Sequence, residues 1–141
     1  MTMEIDVTQA VRGALSAFAA GNPQPWLRLL ADDVEFTFPF APDGRPRVIR
    51  GADDVAAYLR GVAAAATDRT IRSLAIHRTD DRDVLVVELT VRGTHTDDAG
   101  GRTTRDTSSI AVVTTRRGRV TGYRDYWNPQ GGRLVSAGAE L

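Results

Sequence analysis

The chain predicts a single α+β domain in which helices pack on one face of a curved, mostly antiparallel sheet. Three observations carry this expectation. Val7, Val11, Ala14, Leu15 and Phe18 recur at helical spacing near the start. Long β-branched runs fill the second half, and Asp97-Asp98-Ala99-Gly100-Gly101 and Arg116-Arg117-Gly118 read as the hairpin turns between them. The resulting order is helix, helix, strand, helix, then four strands, which segregates helices from sheet. At 141 residues the chain is one domain with room for a core. A curved sheet closed by helices forms a cone, and its open end is a natural small-molecule pocket.

Each element has a local reason. Asp6 or Thr8 can cap the first helix, and Gly21-Asn22-Pro23 ends it. A short helix over about Pro25 to Leu30 places Trp26, Leu29 and Leu30 on apolar positions. Ala31-Asp32-Asp33 turns into a strand from Val34 to Phe38, stopped at Pro39. Pro39 to Arg47 holds three of the six prolines and reads as a loop. Gly51-Ala52-Asp53-Asp54 opens a third helix that runs through Val55, Tyr58, Leu59 and Val62 to about Ala66. Strands follow over about Thr70 to Arg78, Val84 to Thr96 and Arg102 to Thr115, and the last lies between Gly118 and Pro129. The domain core is expected over about residues 7–129, with 131–141 as a loose tail.

Composition excludes several function classes. There is no cysteine, hence no disulfide framework and no thiolate metal site. Eighteen basic residues, all arginine, balance eighteen acidic ones, so the basic excess of a nucleic-acid binder is missing. No apolar run approaches the roughly 20 residues of a membrane span. The start, Met1-Thr2-Met3-Glu4-Ile5-Asp6, lacks the pattern of a signal peptide, and a cytoplasmic protein is expected. His77 and His95 are isolated, so no metal site is expected, and no motif implies a cofactor. Gly100-Gly101 precedes no helix and is a turn, not a phosphate loop.

The most informative stretch is the last strand. Side chains of a strand alternate between faces, so Tyr123, Asp125 and Trp127 share one face. A carboxylate between two aromatics on a buried face is desolvated and has a raised pKa, which suits a general acid or base. A structural carboxylate paired with Arg92 or Arg105 is the other reading of the same position. Strand pairing puts Arg105, Thr107 and Ser109 on the side of Asp125. The strand Val84 to Thr96 alternates between an apolar row (Leu85, Val87, Leu89, Val91) and a polar row containing Glu88 and Arg92, and alternation alone leaves open which row faces inward. Tyr58 can reach a pocket from the third helix or lie in the core. Arg45, Arg47 and Arg50 flank the proline-rich loop as a rim or lid.

This organisation resembles the SnoaL-like branch of the nuclear transport factor 2-like superfamily. The resemblance runs from about Val7 to Pro129 and is most specific at Phe36-Thr37-Phe38-Pro39-Phe40-Ala41-Pro42 and Tyr123-Arg124-Asp125-Tyr126-Trp127-Asn128-Pro129. It implies a cystatin-like cone with about three N-terminal helices. Limonene-type epoxide hydrolases carry Trp-Arg-Asp-Tyr-Phe on the last strand with a catalytic aspartate, and Asp125 matches it. Their Arg-x-Asp partner is absent here, and their water-activating tyrosine and asparagine fall on Phe36 and Phe38. The base of ketosteroid isomerases falls on Phe38, so that constellation is absent too.

The resemblance favours the polar row inward. Asp125, Glu88 and Arg92 are then the expected catalytic set, with Tyr123, Trp127, Arg105, Phe36, Phe38 and Tyr58 contacting substrate. The apolar row, with Ile110 and Val112, would form the outer face, covered by a second subunit in a homodimer. The implied activity is cofactor-independent acid/base chemistry on a small hydrophobic molecule of polyketide-type metabolism: cyclisation, dehydration, isomerisation or epoxide opening. A non-catalytic ligand-binding or dimerisation module of the same fold is the alternative.

Overall fold

The computed structural model describes residues 6–65, 67–130 and 132–139. Helix α1 (Val7–Ala19) starts at Asp6, whose carboxylate accepts the Thr8 N–H at 3.0 Å and so satisfies one of the unpaired donors of the first turn. Its face of Val11, Ala14 and Leu15 is buried. The short α2 (Gln24–Leu29) sends Trp26 into the core, and α3 (Ala52–Ala65) buries Val55 and Leu59.

The strands are β1 (Leu30–Thr37), β2 (Val48–Arg50), β3 (Thr67–Arg78), β4 (Val84–Thr96), β5 (Gly101–Arg116), β6 (Arg119–Trp127) and β7 (Arg133–Ala139). Their order in the sheet is β2-β1-β6-β5-β4-β3, with β7 paired to β5. Only β1 and β6 run parallel; the other pairs are antiparallel. Arg117 and Gly118 both take positive φ, 54° and 77°, as a two-residue turn matching strand twist requires. The helices pack on one face of this sheet, where the buried core lies. No helix among the described residues is long and apolar enough to cross a membrane.

Two departures from the sequence reading shape the cone. The first is β7, expected as part of a loose tail. Strand β5 is 16 residues long, and β6 covers one edge of it only from Ser109 to Arg116 before Pro129 ends the strand. The unpaired edge from Gly101 to Asp106 is taken by Arg133–Ala139, which extends the wall of the cone. Gly132 makes the return possible: a side chain there would run into the Asp106 carbonyl. Residues 131, 140 and 141 of the expected tail lie outside the described residues. The second departure is a bulge in β6. Thr114 pairs with Gly122 but Thr115 pairs with Val120, so Thr121 is the extra residue. The parity shift lets Val120 and Tyr123 both point into the core, at 0% and 8% exposure.

Leu85 and Val87 also face inward, opposite Val113 and Ala111 of β5, and are fully buried under the helices. This corrects the expectation that the apolar row of β4 forms the outer face. The helices supply apolar surface on the concave side alone, so burial selects the apolar row for that side. Leu85→Ala should therefore cost about 2–5 kcal/mol, measured by urea unfolding, with no dependence on protein concentration. Ile110→Ala, on the half-exposed outer face, should cost the isolated chain under about 1 kcal/mol. The opposite ranking would mean that β4 is inverted.

Candidate functional site

An aromatic floor closes the narrow part of the cone. Trp26 of α2 lies edge-on to Tyr123 of β6 at 5.5 Å between ring centroids, and Tyr123 stacks on Phe36 of β1 at 4.9 Å. Phe38 packs on Tyr58 of α3 at 5.4 Å. Above this floor a cavity of about 380 Å³ opens toward the wide end. Leu15 and Phe18 of α1 and Tyr58 and Val62 of α3 form one side, and Leu89 and Val91 of β4 face them. Arg105, Thr107 and Ser109 of β5 and Asp125 and Trp127 of β6 complete the wall.

Asp125 is the chemically distinctive group. Its Oδ1 is buried without a hydrogen-bond partner among the described residues. Burial raises its pKa from the usual carboxylate range to about 6. Neither Arg92 nor Arg105 bonds it: Arg92 Nε donates to Asp106 at 2.8 Å, and Arg105 Nη1 donates to the Gly132 carbonyl at 3.0 Å. The reading of Asp125 as the structural partner of one of those arginines is therefore not what the geometry shows. The nearby Tyr58 hydroxyl has a pKa raised by burial and then by the Asp125 charge, with Arg45 opposing, so it stays a neutral donor. The Tyr123 hydroxyl is pushed up by burial, and further by Asp125 and Tyr58. A partly desolvated carboxylate beside a neutral phenol can take a proton from a substrate while the phenol donates to the oxygen that gains charge.

The expected site residues thus fall into three groups. Asp125, Tyr58, Trp127 and Arg105 line one cavity. Phe36, Phe38 and Tyr123 are buried behind it, as its support. Glu88 and Arg92 lie on the outer face of β4, and the expectation that they join Asp125 is corrected. Glu88 pairs with Ala75, and its carboxylate meets His77 Nε2 at 2.7 Å; Arg92 is held by Asp106. With Leu89 and Val91 turned inward, strand alternation turns both polar residues out. His95 and Arg45 stand at the cavity mouth.

Sequence reasoning missed Arg69. Its Nη2 donates to the Val62 carbonyl at 2.7 Å, its guanidinium lies 6.0 Å from the Phe18 ring centre, and burial lowers its pKa. Asp68 before it has φ of 58°, within an irregularity between Thr67 and Thr70 that no propensity announces. Among the described residues no group of three or more histidine or acidic side chains is placed to hold a metal ion.

The SnoaL-like domain pattern matches residues 11–123. Protein YesE of Bacillus subtilis is 31% identical over 121 residues, which is 86% of this chain and 80% of that one. Among solved structures, a Bacillus subtilis protein provisionally assigned as an isomerase aligns with TM-score 0.74 at 26% identity, over 89% of this chain and 88% of its own. A Pseudomonas putida protein provisionally assigned as a polyketide cyclase aligns with TM-score 0.72 at 21% identity, over 90% and 95% of the two chains.

The raised pKa of Asp125 has a consequence for stability. In the folded state the group binds its proton more tightly than in the unfolded chain, so stability is highest below the unfolded pKa of about 4 and falls as pH rises through about 6. Asp125→Asn should stabilise the fold at pH 8 by about 1–3 kcal/mol, and the gain should vanish near pH 4. Thermal melts at the two pH values measure it. A variant destabilised at pH 8 would show that the carboxylate is structurally paired.

Proposed function

The chain belongs to the SnoaL-like domain family, and from that premise we propose a small, cofactor-independent enzyme of polyketide-type natural-product metabolism. Its reaction is proton transfer on a hydrophobic carbonyl compound held in the cone. The observation that carries this reading is the unpartnered, buried Asp125 Oδ1 on the cavity wall. Asp125 takes the proton from the carbon next to a carbonyl, the C–H electron pair moves toward the carbonyl oxygen, and Tyr58 donates a hydrogen bond to that oxygen. Protonated Asp125 then returns the proton to another carbon, which is isomerisation. Alternatively the enolate carbon attacks a second carbonyl of the same molecule, forming a carbon–carbon bond, and the alkoxide takes the proton; this is cyclisation. With its pKa near 6, Asp125 is mostly ionised at neutral pH yet more basic than an exposed aspartate. The provisional isomerase among the similar structures supports this class.

The test is hydrogen–deuterium exchange at the carbon next to the carbonyl of 2-tetralone, a two-ring neutral ketone, followed by NMR. The rate should rise with pH through about 6 as Asp125 ionises. Asp125→Asn should lower it about a hundredfold or more, and Tyr58→Phe by about a hundredfold, with binding of the ketone little changed. Binding without exchange in the wild-type chain would instead favour a ligand-binding domain.

A homodimer is also part of the reading, resting on Ile110 and its neighbours and no longer on the row of β4. Phe40 and Ile110 are 57% and 47% exposed, and Tyr126 lies beside both, edge-on to Phe40 and opposite Ile110 across the ladder. This apolar strip on the outer face of the sheet resembles the centre of an interface. Sedimentation should give a dimer at micromolar concentration, and Ile110→Arg should give a monomer. A wild-type monomer would remove the proposal.

A further inference from the structure

The cavity carries an imbalance of charge that the acid/base chemistry does not use. Among the described residues its lining has one acidic side chain, Asp125, and three guanidinium groups, Arg45, Arg69 and Arg105. Of the fifteen arginines outside the cavity, six find carboxylates: Arg47, Arg50, Arg78, Arg92, Arg102 and Arg116 form ion pairs among the described residues. The three in the cavity form none there. The nearest acid in sequence to Arg69 is Asp68, and its carboxylate turns to Arg102 at 3.7 Å. In a chain whose eighteen basic and eighteen acidic residues cancel, this lining carries two more guanidinium groups than carboxylates.

Two of these cations are set in place. Arg69 is half-buried, with one hydrogen bond to the Val62 carbonyl and its plane near Phe18. Arg105 is half-buried and anchored by the Gly132 carbonyl. Each guanidinium has five N–H donors, and the single anchoring bond of each leaves the rest for a ligand. Burying a cation without a counter-charge is costly, and a bound anion removes that cost. Arginine also presents a planar fork that fits a carboxylate through two parallel bonds. Next to Arg105 on the same sheet wall, Leu89, Val91 and Trp127 supply apolar surface. The cavity is near the lower end of the range for small-ligand sites, about 300–1,000 Å³.

We propose that the ligand of this cavity is a monoanionic, one- or two-ring carboxylic acid, its carboxylate held by Arg69 and Arg105 and its ring laid on Leu89, Val91 and Trp127. Arg45 at the mouth draws the anion in. The proposal deepens the acid/base reading and rests on it for the placement of the ring beside Asp125. The carboxylate is a handle, not the reacting group: it fixes the molecule so that its carbonyl side faces Asp125 and Tyr58.

Isothermal titration at pH 8 with 2-naphthoate and 2-naphthamide tests this directly, since the two probes share shape and differ in charge. The wild-type chain should bind the acid at least about tenfold more tightly than the amide, as one charge-assisted contact supplies. Arg69→Met and Arg105→Met should each remove most of that preference while amide affinity stays within about twofold. Equal binding of the two probes, no binding of the acid below millimolar concentration, or a preference that survives loss of both arginines would overturn it. The wild-type comparison needs no variant to fold. Failure here is separable from failure of the acid/base reading. If acid and amide bind equally while Asp125→Asn still abolishes exchange on neutral 2-tetralone, the anion site alone is lost. If the acid is preferred but exchange is indifferent to Asp125→Asn, the general base is lost and the anion site stands.

Discussion

The stack of Tyr123 on Phe36, with Trp26 against both, is the contact on which the remaining structure depends. It ties β6 to the contiguous α2 and β1, far from it in sequence, at the one parallel seam of the sheet, between β1 and β6. Aromatic groups of this size bring large buried areas and directional edge and face contacts. The floor they form excludes water from beneath Asp125, two residues along β6 from Tyr123. Desolvation of the carboxylate is thus a product of the packing of the core. The chemistry and the fold share the same rings.

Polarity in the cone is graded. The floor is aromatic, the half-buried middle carries Asp125, Tyr58, Arg69 and Arg105, and the exposed part of the lining carries Arg45 and His95. Charged groups are cheapest to hold where water can reach them, and the gradient follows that rule. A carboxylate with an unpaired oxygen in the middle layer is unfavourable for folding, by about 1–3 kcal/mol for the unmade bond. Buried contacts of Leu85, Val87, Val113 and Val120 lie outside that layer and offset it. The residues that offset this cost are therefore not the groups that react, although the aromatic floor beneath serves both.

Much of this was legible in the sequence, for local reasons. The cap at Asp6, the turns at Asp97 to Gly101 and Arg117-Gly118, and the shared face of Asp125 and Trp127 follow from rules that span a few residues. The orientation of β4 did not. Its two rows, Leu85 to Val91 and Glu88 to Arg92, are equally consistent with alternation, and only the position of the helices chooses between them. Analogy to a polar active site then pointed to the wrong row. Arg69 was illegible because its direction depends on the left-handed backbone of Asp68. Strand β7 was missed because the reason for it lies in β5, whose unpaired edge is more than two dozen residues away along the chain.

The bulge at Thr121 gives this fold an uneven response to evolutionary change. Substitutions along β6 alter the wall of the cavity by degrees, since each side chain keeps its face. A one-residue insertion or deletion between Tyr123 and Asp125 is different in kind: it keeps Tyr123 in the core but inverts parity beyond it, putting the neighbours of Asp125 on the inside and Asp125 on the outside. The inner set of groups would be exchanged for another in a single genetic event, with the ladder to β5 still able to form. Descendants of such a scaffold should therefore diverge in jumps, keeping the barrel of the cone while trading one chemistry for an unrelated one.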